Sequence, residues 1–377
     1  MTGRGDEGTA ERDVLLSANE EAAHFYRGQL LASTSSGPRD FLTARGFGAL
    51  LDESPWTVGY APAGWTRLVE HLTQQGYTSA TLLETGLACC TRRNTLVDRF
   101  RDRITFGIRN LEGDLVGFTA RCGPSAPATV PKYLNTPTTP VYKKGEAPFG
   151  LGEQHISMRA GAVPVLVEGA FDAIAVQIGQ QEHNEDFAAI ALCGTALSTA
   201  LVKDLAQLNG RRVVLAFDRD DAGALATERA ACALAPEFKH VLAIGPHGGG
   251  DPADVLGRSG ASAVRAHLFG AGPAIDSALG ARIQRWAGRL DNAEAKVGCL
   301  REAATLLAQL RPADTARHAV ELAELLGLSV EAVTNELAEA ASPGPSNVQA
   351  PLTQSTRRPG RGASHPPALA NSLRTES

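Results

Sequence analysis

VPVLVEGAFDA at residues 163–173 and RVVLAFDRDDAG at residues 212–223 are the stretches that decide the fold of this chain. Each opens with a short, apolar, β-branched run, which is typical of a strand buried on both faces of a parallel sheet. The first run ends at Glu168 and the second at Asp218, and each is followed by glycine and a helical pattern. The two stretches therefore predict neighbouring strands of an α/β sheet.

Acidic residues follow both predicted strands at the point where each strand ends. Glu168 follows the first, and Asp218 and Asp220 follow the second, while Asp172 falls near the start of the next predicted helix. Ligand sites in open α/β sheets lie at the carboxyl ends of the strands, so these carboxylates are expected at one edge. Carboxylate and phosphate oxygens suit Mg²⁺, a hard ion, and also Mn²⁺. We therefore predict a magnesium site, with manganese as a possible substitute.

The order of these segments closely resembles the Toprim domain, the metal-binding fold of primases, topoisomerases and related nucleases. The segment between them, ALCGTALS at residues 191–198, fits the middle strand and Gly-Thr turn of that family. The resemblance implies that the carboxylates at the end of each strand hold divalent metal ions.

Composition limits the classes to which the protein can belong. The 377 residues are enough for two or three compact units, and the net charge of −5 does not by itself indicate nucleic-acid binding. The six cysteines form no C-x-x-C pair, so neither zinc binding nor a disulfide framework is expected. No apolar run approaches the ~20 residues that a membrane-spanning helix needs. We expect a cytoplasmic protein that does not associate with membranes.

The first half of the chain alternates helical and extended patterns. An amphipathic helix is predicted over residues 13–31, behind a disordered lead at residues 1–12. A basic segment with Arg99, Arg101 and Arg103 then runs into a predicted hairpin of two strands, residues 104–108 and 115–121. Several prolines between residues 131 and 140 predict an irregular loop there, in which Tyr133 is expected to be a packed aromatic residue.

Further motifs of this half resemble the catalytic core of bacterial DnaG-type primases. They occur in the order of that family: GYAPAGW at 59–65, RFRDRI at 99–104, GFTAR at 117–121, KYLNTP at 132–137 and KG at 144–145. The likeness covers residues 19–256 and extends more weakly to residue 341. It implies an α/β fold class: an α+β N-terminal subdomain, a Toprim subdomain with a parallel-type sheet, and a helical C-terminal subdomain.

The resemblance also implies site residues. Catalytic roles fall to Glu168, Asp218 and Asp220, and metal binding to Glu168, Asp172, Asp218, Asp220 and Asp251. Template and nucleotide phosphates would be held by a basic set consisting of Arg99, Arg101, Arg103, Arg121, Lys132 and Lys144, with Asn135 positioning template or nucleotide.

One position departs from the family pattern. The family tends to have Asp-Pro-Asp where this chain has Asp251, Pro252 and Ala253, and the next acid is Asp254. A helix would rotate Asp254 by ~100° from the position of Ala253. Either Asp254 substitutes for the absent carboxylate, or one outer metal position is weakened.

The predicted organisation follows from these motifs. The N-terminal subdomain is placed at residues 13–158, the Toprim domain at 159–262 and the helical subdomain at 263–341. The segment 342–377 is rich in Pro, Ser, Gly and Arg, and it is predicted to be a disordered tail because it cannot bury enough apolar surface to fold.

The implied function is that of a DNA primase, a nucleotidyltransferase that makes short RNA primers on single-stranded DNA from nucleoside triphosphates. The family usually begins with a zinc ribbon and ends with a helicase-binding domain, and neither is recognisable here. We therefore expect a zinc-ribbon protein or a replicative helicase as a separate partner, as for a mobile-element or accessory primase. Two alternatives stay open, a Toprim nuclease and a primase relative that binds single-stranded DNA without polymerising.

Overall fold

The computed structural model describes residues 4–32, 36–123, 126–127, 129–180, 186–218, 220–245, 250–310 and 312–342. Its helices are α1 (Arg4–Leu31), α2 (Ser36–Ala44), α3 (Arg67–Gln74), α4 (Ser79–Glu84), α5 (Leu151–Arg159), α6 (Ala170–Ile178), α7 (Thr199–Asn209), α8 (Asp221–Leu234), α9 (Pro252–Ser259), α10 (Ala261–Phe269), α11 (Ala274–Gln284), α12 (Ala293–Leu307), α13 (Pro312–Leu326) and α14 (Val330–Ala341). Its strands are β1 (Val58–Ala61), β2 (Ala88–Cys90), β3 (Leu96–Asp98), β4 (Arg103–Arg109), β5 (Leu115–Cys122), β6 (Tyr133–Asn135), β7 (Val163–Val167), β8 (Phe187–Ala191), β9 (Arg212–Ala216), β10 (His240–Ala243) and β11 (Gly272–Pro273).

The two apolar runs of the sequence are the inner strands β7 and β9 of a five-stranded sheet, whose order is β11-β10-β9-β7-β8. The pairs β10–β9, β9–β7 and β7–β8 are parallel, and only the short β11 is antiparallel. Val165, Leu166 and Val167 are fully buried because helices cover both faces of this sheet. The prediction of an α/β fold with a parallel-type sheet is confirmed.

A second, antiparallel sheet lies in the N-terminal half and has the order β1-β4-β5-β6. The predicted hairpin is confirmed as β4 and β5, which pair across a turn with Gly113 at φ +90°. The prediction of an irregular loop is corrected over residues 133–135, which form β6 between Pro131 and Pro137. Proline lacks an N–H donor but does not prevent a short edge strand between two prolines.

The start of the chain also differs from its prediction. Helix α1 begins at Arg4, so residues 4–12 are helical where a disordered lead was predicted. The helix packs through Ala18, Ala22 and Tyr26 against the N-terminal sheet. The helix continues ahead of the apolar pattern because no helix-breaking residue other than glycine stands between residues 4 and 13.

The apolar cores explain how the two sheets are held together. One cluster joins the N-terminal sheet to helix α6 of the parallel sheet, and it includes Phe106, Phe149 and Phe171. A separate cluster on the other face of the parallel sheet lies under α5, α7 and α8. The helices α11–α14 share a further cluster around Leu322 and Leu326, which agrees with helical packing after residue 263.

The remaining predictions concern membrane association, the C-terminal tail and the subdomain boundaries. In the part that the structure describes, no helix is long and apolar enough to cross a membrane. The predicted disordered tail lies outside the described residues apart from residue 342, and the three subdomain boundaries stay predictions.

Candidate active site

The parallel sheet brings two of the predicted acids together directly. Val167 of β7 is paired with Ala216 of β9, so the residues that follow these strands leave the sheet side by side. The backbone N–H of Asp218 donates a hydrogen bond of 3.0 Å to Oε1 of Glu168. This contact fixes the end of β7 to the end of β9 and leaves the other carboxylate oxygen of Glu168 outside that bond.

Two further acids reach the same edge from helix starts. Asp172 lies in the first turn of α6, where its Oδ2 accepts the N–H of Gly169 at 3.1 Å and its Oδ1 accepts the N–H of Ala253 at 3.3 Å. Asp251 is the N-cap of α9, and its Oδ1 accepts the N–H of Asp254 at 2.6 Å. Both carboxylates therefore accept backbone N–H groups at a helix start, and these bonds fix their positions at the edge.

Asp220 is placed differently from the other predicted acids. It is the N-cap of α8, its Oδ1 accepts the N–H of Gly223 at 2.8 Å, and its side chain does not line the cleft described below. The turn is tight, since a Cβ on Gly223 would lie 1.9 Å from the carbonyl oxygen of Asp218. A residue with a side chain at position 223 would therefore displace either the start of α8 or Asp218.

The acids share a cleft of 760 Å³ with basic and aromatic side chains. Four of the predicted acids and two of the predicted bases line it: Glu168, Asp172, Asp218, Asp251, Arg121 and Lys132. The N-terminal sheet supplies the bases and the parallel sheet the acids, so the cleft lies where the two sheets meet. The sequence predicted all six of these residues, and the structure brings their side chains to one cleft.

Electrostatics show that the acids repel one another. The pKa of Asp218 is raised to about 6 by burial and by the charges of Glu168, Asp251 and Asp220, and Lys132 opposes that shift. The pKa of Asp172 is raised well above its usual range by burial and then by Asp251 and Asp218. Holding these carboxylates together costs electrostatic free energy, and a bound cation would lower that cost.

The composition of the cleft fits a magnesium or manganese ion. Its donors are carboxylate oxygens, which hard divalent ions prefer, and the repulsion among them is of the kind that such an ion neutralises. Among the residues that the structure describes, no three acidic, His or Cys side chains already stand in a geometry that could hold one metal ion. Mg²⁺ commonly binds through one or two carboxylates together with substrate phosphates and waters, so a preformed cage is not required.

Sequence reasoning missed Arg45, which also lines the cleft. Its guanidinium lies 5.4 Å from the ring centroid of Phe171, and Arg121 lies 5.1 Å from the same ring. Burial and the neighbouring Arg121 lower the pKa of Arg45. The two guanidinium groups lie over the buried ring of Phe171 on the side of the cleft opposite the acids. That position suits the binding of anionic oxygens. No pattern around residue 45 distinguishes it from the other basic residues of the sequence.

The remaining predicted bases are placed away from the acids. Arg99 donates through Nε and a terminal nitrogen to the carbonyl of Asn135, at 3.1 Å and 3.0 Å. Arg103 is 5 % exposed and donates to the carbonyls of Pro131 and Lys132. Arg101 bonds the carbonyl of Asp98. The bonds of Arg99 and Arg103 brace β4 and β6, that of Arg101 reaches the end of β3, and none of the three side chains lines the cleft.

Asn135 and Lys144 do not line the cleft, but both lie close to Cys193, which does. The side-chain amide of Asn135 donates to the carbonyl of Cys193 at 3.0 Å, which ties β6 to the turn that follows β8. Lys144 lies near enough to act on the Cys193 thiol electrostatically. Cys193 itself lines the cleft, in a left-handed conformation with φ +49°.

Tyr133 and Asp254 complete the description of the cleft. Tyr133, which was predicted to be packed, is 40 % exposed and lines the cleft beside Arg121 and Lys132. Asp254 also lines it, but its carboxylate lies 2.9 Å from Arg258 and 3.9 Å from Arg45. Its charge is therefore directed to arginines rather than to the other carboxylates.

Two family models match the chain. The model of the N-terminal domain of the DNA primase catalytic core matches residues 25–155, and the Toprim-like model matches residues 165–256. Together they include every residue that lines the cleft, and both sheets apart from β11 and the first two residues of β7.

Relatives and solved structures agree with these models. The chain is 35 % identical to a DNA primase of Streptomyces coelicolor, covering 88 % of this chain and 51 % of that protein. It is 34 % identical to a DNA primase of Deinococcus radiodurans, covering 85 % and 54 %. The RNA polymerase domain of Mycobacterium tuberculosis primase DnaG superposes with a TM-score of 0.70 at 31 % identity, covering 83 % of this chain and 99 % of that domain. The chain spans about half the length of the curated relatives that it matches.

Proposed function

This chain belongs to the family of DnaG-type DNA primase catalytic cores, and on that premise we propose that it synthesises short RNA primers on single-stranded DNA. The observation that supports this function most directly is the cleft, in which Glu168, Asp172, Asp218 and Asp251 face Arg121, Lys132 and Arg45. Acids for a divalent ion opposite cations for phosphates are what phosphoryl transfer between nucleotides requires.

The metal proposal is specific to the acids of the cleft. Glu168 and Asp218 would hold Mg²⁺ or Mn²⁺, supported by Asp172 and Asp251. When bound, the metal supplies neutralisation of phosphate charge and activation of the attacking hydroxyl. Asp220 supports the site through the turn that it caps, and its own contact with metal stays a prediction.

The residues of the chain then have separate roles in the reaction. Arg121 and Arg45, stacked on Phe171, orient the phosphates of a nucleoside triphosphate against the acidic edge. Lys132, whose charge opposes the rise in the pKa of Asp218, contacts the backbone of the template. Arg99, Arg103 and Asn135 act as positioning residues, because their bonds hold β6 and the turn after β8 in place.

The partners are proposed from the same similarity. A solved structure at 30 % identity holds the M. tuberculosis domain with a double-stranded DNA oligomer that carries a 6-nucleotide overhang. We propose single-stranded DNA and nucleoside triphosphates as the substrates of this chain. A replicative helicase or a zinc-ribbon protein as an additional partner stays a prediction from the sequence.

The test is primer synthesis on single-stranded DNA with labelled nucleoside triphosphates, with Mg²⁺ or Mn²⁺ and with a chelator. We expect metal-dependent oligonucleotides from the wild type and none from Asp218→Asn. Asp221→Asn is the matched control, because Asp221 is exposed in the same turn and does not line the cleft. Degradation of the template without synthesis would replace the primase proposal with a nuclease. Salt-sensitive DNA binding without product, with or without a helicase or zinc-ribbon protein, would replace it with a binding role.

A further inference from the structure

The parallel sheet has a second edge, where its strands begin, and a groove lies there. This edge is opposite the acids, because Val163 opens β7 and Glu168 follows its end, about 17 Å further on. Two adjoining cavities of 530 Å³ and 450 Å³ form the groove, and Gly161, Val163 and Arg212 line both of them. None of the residues that line the groove lines the cleft, so the groove is a separate surface.

The larger cavity has an apolar wall. Val214 of β9 and Leu242 of β10 are paired in the sheet, and they line the cavity together with Phe269 at the end of α10. The ring of Phe269 is 57 % exposed. Among the described residues Asp186 is the only acid that lines this cavity, and its carboxylate is bonded by Arg265. The wall is therefore an apolar surface in contact with water, which a ligand would cover favourably.

The smaller cavity is basic. It is lined by Arg211 and Arg212 where β9 begins and by Lys239 and His240 where β10 begins, and by no acid among the described residues. All four side chains are exposed, and Arg212 is paired with His240 across the two strands. Neither arginine has an ion-pair partner in the part of the chain that the structure describes. Like charges on neighbouring strands repel one another, so a bound anion would stabilise this end of the sheet.

The backbone around the basic cavity is fixed without a ligand. The side-chain amide of Asn209 donates to the carbonyls of Gly161 and Ala162 at 3.2 Å and 3.0 Å. Its Oδ1 accepts the N–H of Arg211 at 3.3 Å, and the N–H of His240 donates to the carbonyl of Arg211 at 3.0 Å. A groove whose backbone is already ordered loses little entropy when it binds a ligand.

We propose that this groove binds an acidic segment of a partner protein. An apolar side chain of the segment lies in the larger cavity, and its carboxylates pair with Arg211, Arg212 and Lys239. Charge complementarity favours this occupant, because the basic cavity repels a basic segment. The chain's own residues 343–377 do not fit, since they include four arginines and one glutamate.

Nucleic acid is the competing occupant, because phosphates would also pair with the basic cavity. Phosphates leave the apolar wall uncovered, and the cleft proposed to hold the template lies at the opposite edge of the sheet. A protein segment covers both cavities and leaves the cleft open. The inference therefore goes beyond the proposed function and does not depend on it.

The first experiment measures binding of a fluorescein-labelled peptide, in which glutamates are followed by leucine and phenylalanine, by fluorescence anisotropy at low salt. We expect Arg211→Glu/Arg212→Glu to bind it roughly ten- to hundredfold more weakly than the wild type, because each reversal replaces an attraction with a repulsion. The matched control is Lys203→Glu/Arg229→Glu, which makes the same change of charge at exposed positions outside the groove. A wild type that does not bind the peptide, or equal affinities of the two double variants, would overturn the inference.

The apolar cavity has its own test. Phe269→Ala should bind the peptide roughly three- to tenfold more weakly, because part of the apolar wall is lost. Ile156→Ala is the control, since Ile156 is 70 % exposed on α5 and does not line the groove. A second peptide with serine in place of leucine and phenylalanine should bind the wild type as weakly as the first binds Phe269→Ala, or more weakly. Equal affinity of the wild type for both peptides would reduce the groove to a site for anions and contradict the proposal.

Unlabelled oligothymidylate separates a protein segment from nucleic acid. We expect it to leave the peptide bound, and to bind Arg211→Glu/Arg212→Glu as tightly as the wild type. Displacement of the peptide, together with lost DNA affinity in that variant, would make nucleic acid the occupant. Hydrogen exchange of the wild type requires no variant to fold, and the peptide should protect the first residues of β10 and the end of α10. Bound peptide without that protection would also overturn the inference. None of these measurements uses primer synthesis, so their failure leaves the proposed function intact.

Discussion

The N–H of Asp218 and the Oε1 of Glu168 are joined by a hydrogen bond of 3.0 Å across the ends of two neighbouring parallel strands. The bond uses a backbone donor of one candidate metal ligand and a side-chain acceptor of the other. Glu168 therefore has two separable properties, its negative charge and its hydrogen-bond acceptor. A substitution that keeps one and removes the other distinguishes the catalytic role from the structural one.

Glu168→Gln keeps an acceptor for the N–H of Asp218, whereas Glu168→Ala leaves that donor without a partner. We expect both variants to lose metal-dependent primer synthesis, because both remove a ligand charge. We expect only Glu168→Ala to lose unfolding free energy, about 1 kcal/mol, because it leaves the part-buried N–H of Asp218 without its acceptor. Synthesis assays and thermal unfolding in chelator measure the two effects. Retained activity in Glu168→Gln would remove Glu168 from the metal site.

The elements that carry these acids could be predicted from the sequence for a physical reason. A strand buried on both faces needs a continuous apolar run, and few other structures produce one that stops abruptly at an acid and a glycine. β7, β9 and the helix starts after them are therefore visible in the sequence alone. The joining of Asp172 to Ala253, 81 residues further on, is not visible, because it depends on how α6 packs beside α9.

The features that were missed all depend on tertiary contacts. β6 is three residues long, lies between prolines and exists because Asn135 and its neighbours pair with β5. Arg45 stands just after α2, and in the cleft its guanidinium lies over the rings of Phe41 and Phe171, which pack edge to face at 6.1 Å. The family resemblance implies that Arg99 and Arg103 hold phosphates, and that role stays a prediction; the structure adds that backbone carbonyls accept their hydrogen bonds. Periodicity and residue type do not contain such information.

Gly223 tests how tightly the acidic turn is built. A Cβ there would lie 1.9 Å from the carbonyl oxygen of Asp218, so Gly223→Ala must displace either α8 or Asp218. We expect it to abolish synthesis and to lower the melting temperature. Gly280→Ala is the matched control, because Gly280 is exposed in α11 with no atom within 4 Å of the new Cβ. That control should gain about 0.5–1 kcal/mol from better helix propensity. Wild-type activity in Gly223→Ala would contradict the tight turn.

Arg45 is expected to bind the nucleotide. Arg45→Lys keeps the charge but cannot stack its planar group on Phe171, so we expect KM for nucleoside triphosphates to rise roughly ten- to hundredfold. The comparison is Arg39→Lys at the other end of α2, where the side chain bonds the carbonyl of Leu31 outside the cleft. Steady-state synthesis at varied nucleotide concentration gives both constants. An unchanged KM in Arg45→Lys would show that Arg45 serves only to pair with Asp254.

Glu153 predicts a pH dependence of stability that is separate from the metal site. Burial raises the pKa of Glu153 to about 7, while nearby N–H groups and Arg109 act in the opposite direction. The folded state therefore holds this proton more tightly than the unfolded state does. The stability contributed at Glu153 is present at low pH and is lost as pH rises from about 4 to about 7.

Glu153→Gln removes the titratable carboxyl, so the variant should not lose this stability as the pH rises. We expect the variant to match the wild type near pH 5 and to be more stable by roughly 1–3 kcal/mol at pH 8. Glu146→Gln is the control, since Glu146 is exposed and paired with Lys143. Denaturant unfolding at both pH values measures the difference. A constant offset between Glu153→Gln and the wild type at all pH values would mean that the carboxyl does not titrate differently on folding.

The contacts of Asp251 and Asp254 bear on the two possibilities that the sequence left open. Either Asp254 replaces the absent carboxylate, or one outer metal position is weakened. Asp251 raises the pKa of both Asp172 and Asp218, so its charge belongs to the acidic group. Asp254 is instead paired with Arg258 at 2.9 Å. Ala253 cannot supply a ligand charge, and its N–H is used by Asp172. The geometry therefore favours Asp251 as the ligand and a metal site with one carboxylate fewer than the family pattern.

Asp251→Asn keeps an N-cap for α9, because asparagine caps as well as aspartate does, so the variant should fold. We expect it to lose most of the rise in melting temperature that Mg²⁺ or Mn²⁺ gives the wild type. Asp254→Asn should keep that rise, since its charge is compensated by arginine and not by metal. Thermal unfolding across a metal titration measures both without requiring catalysis. If Asp254→Asn lost the rise and Asp251→Asn kept it, Asp254 would be the substitute ligand, and α9 would have to turn on metal binding to bring it to the other acids.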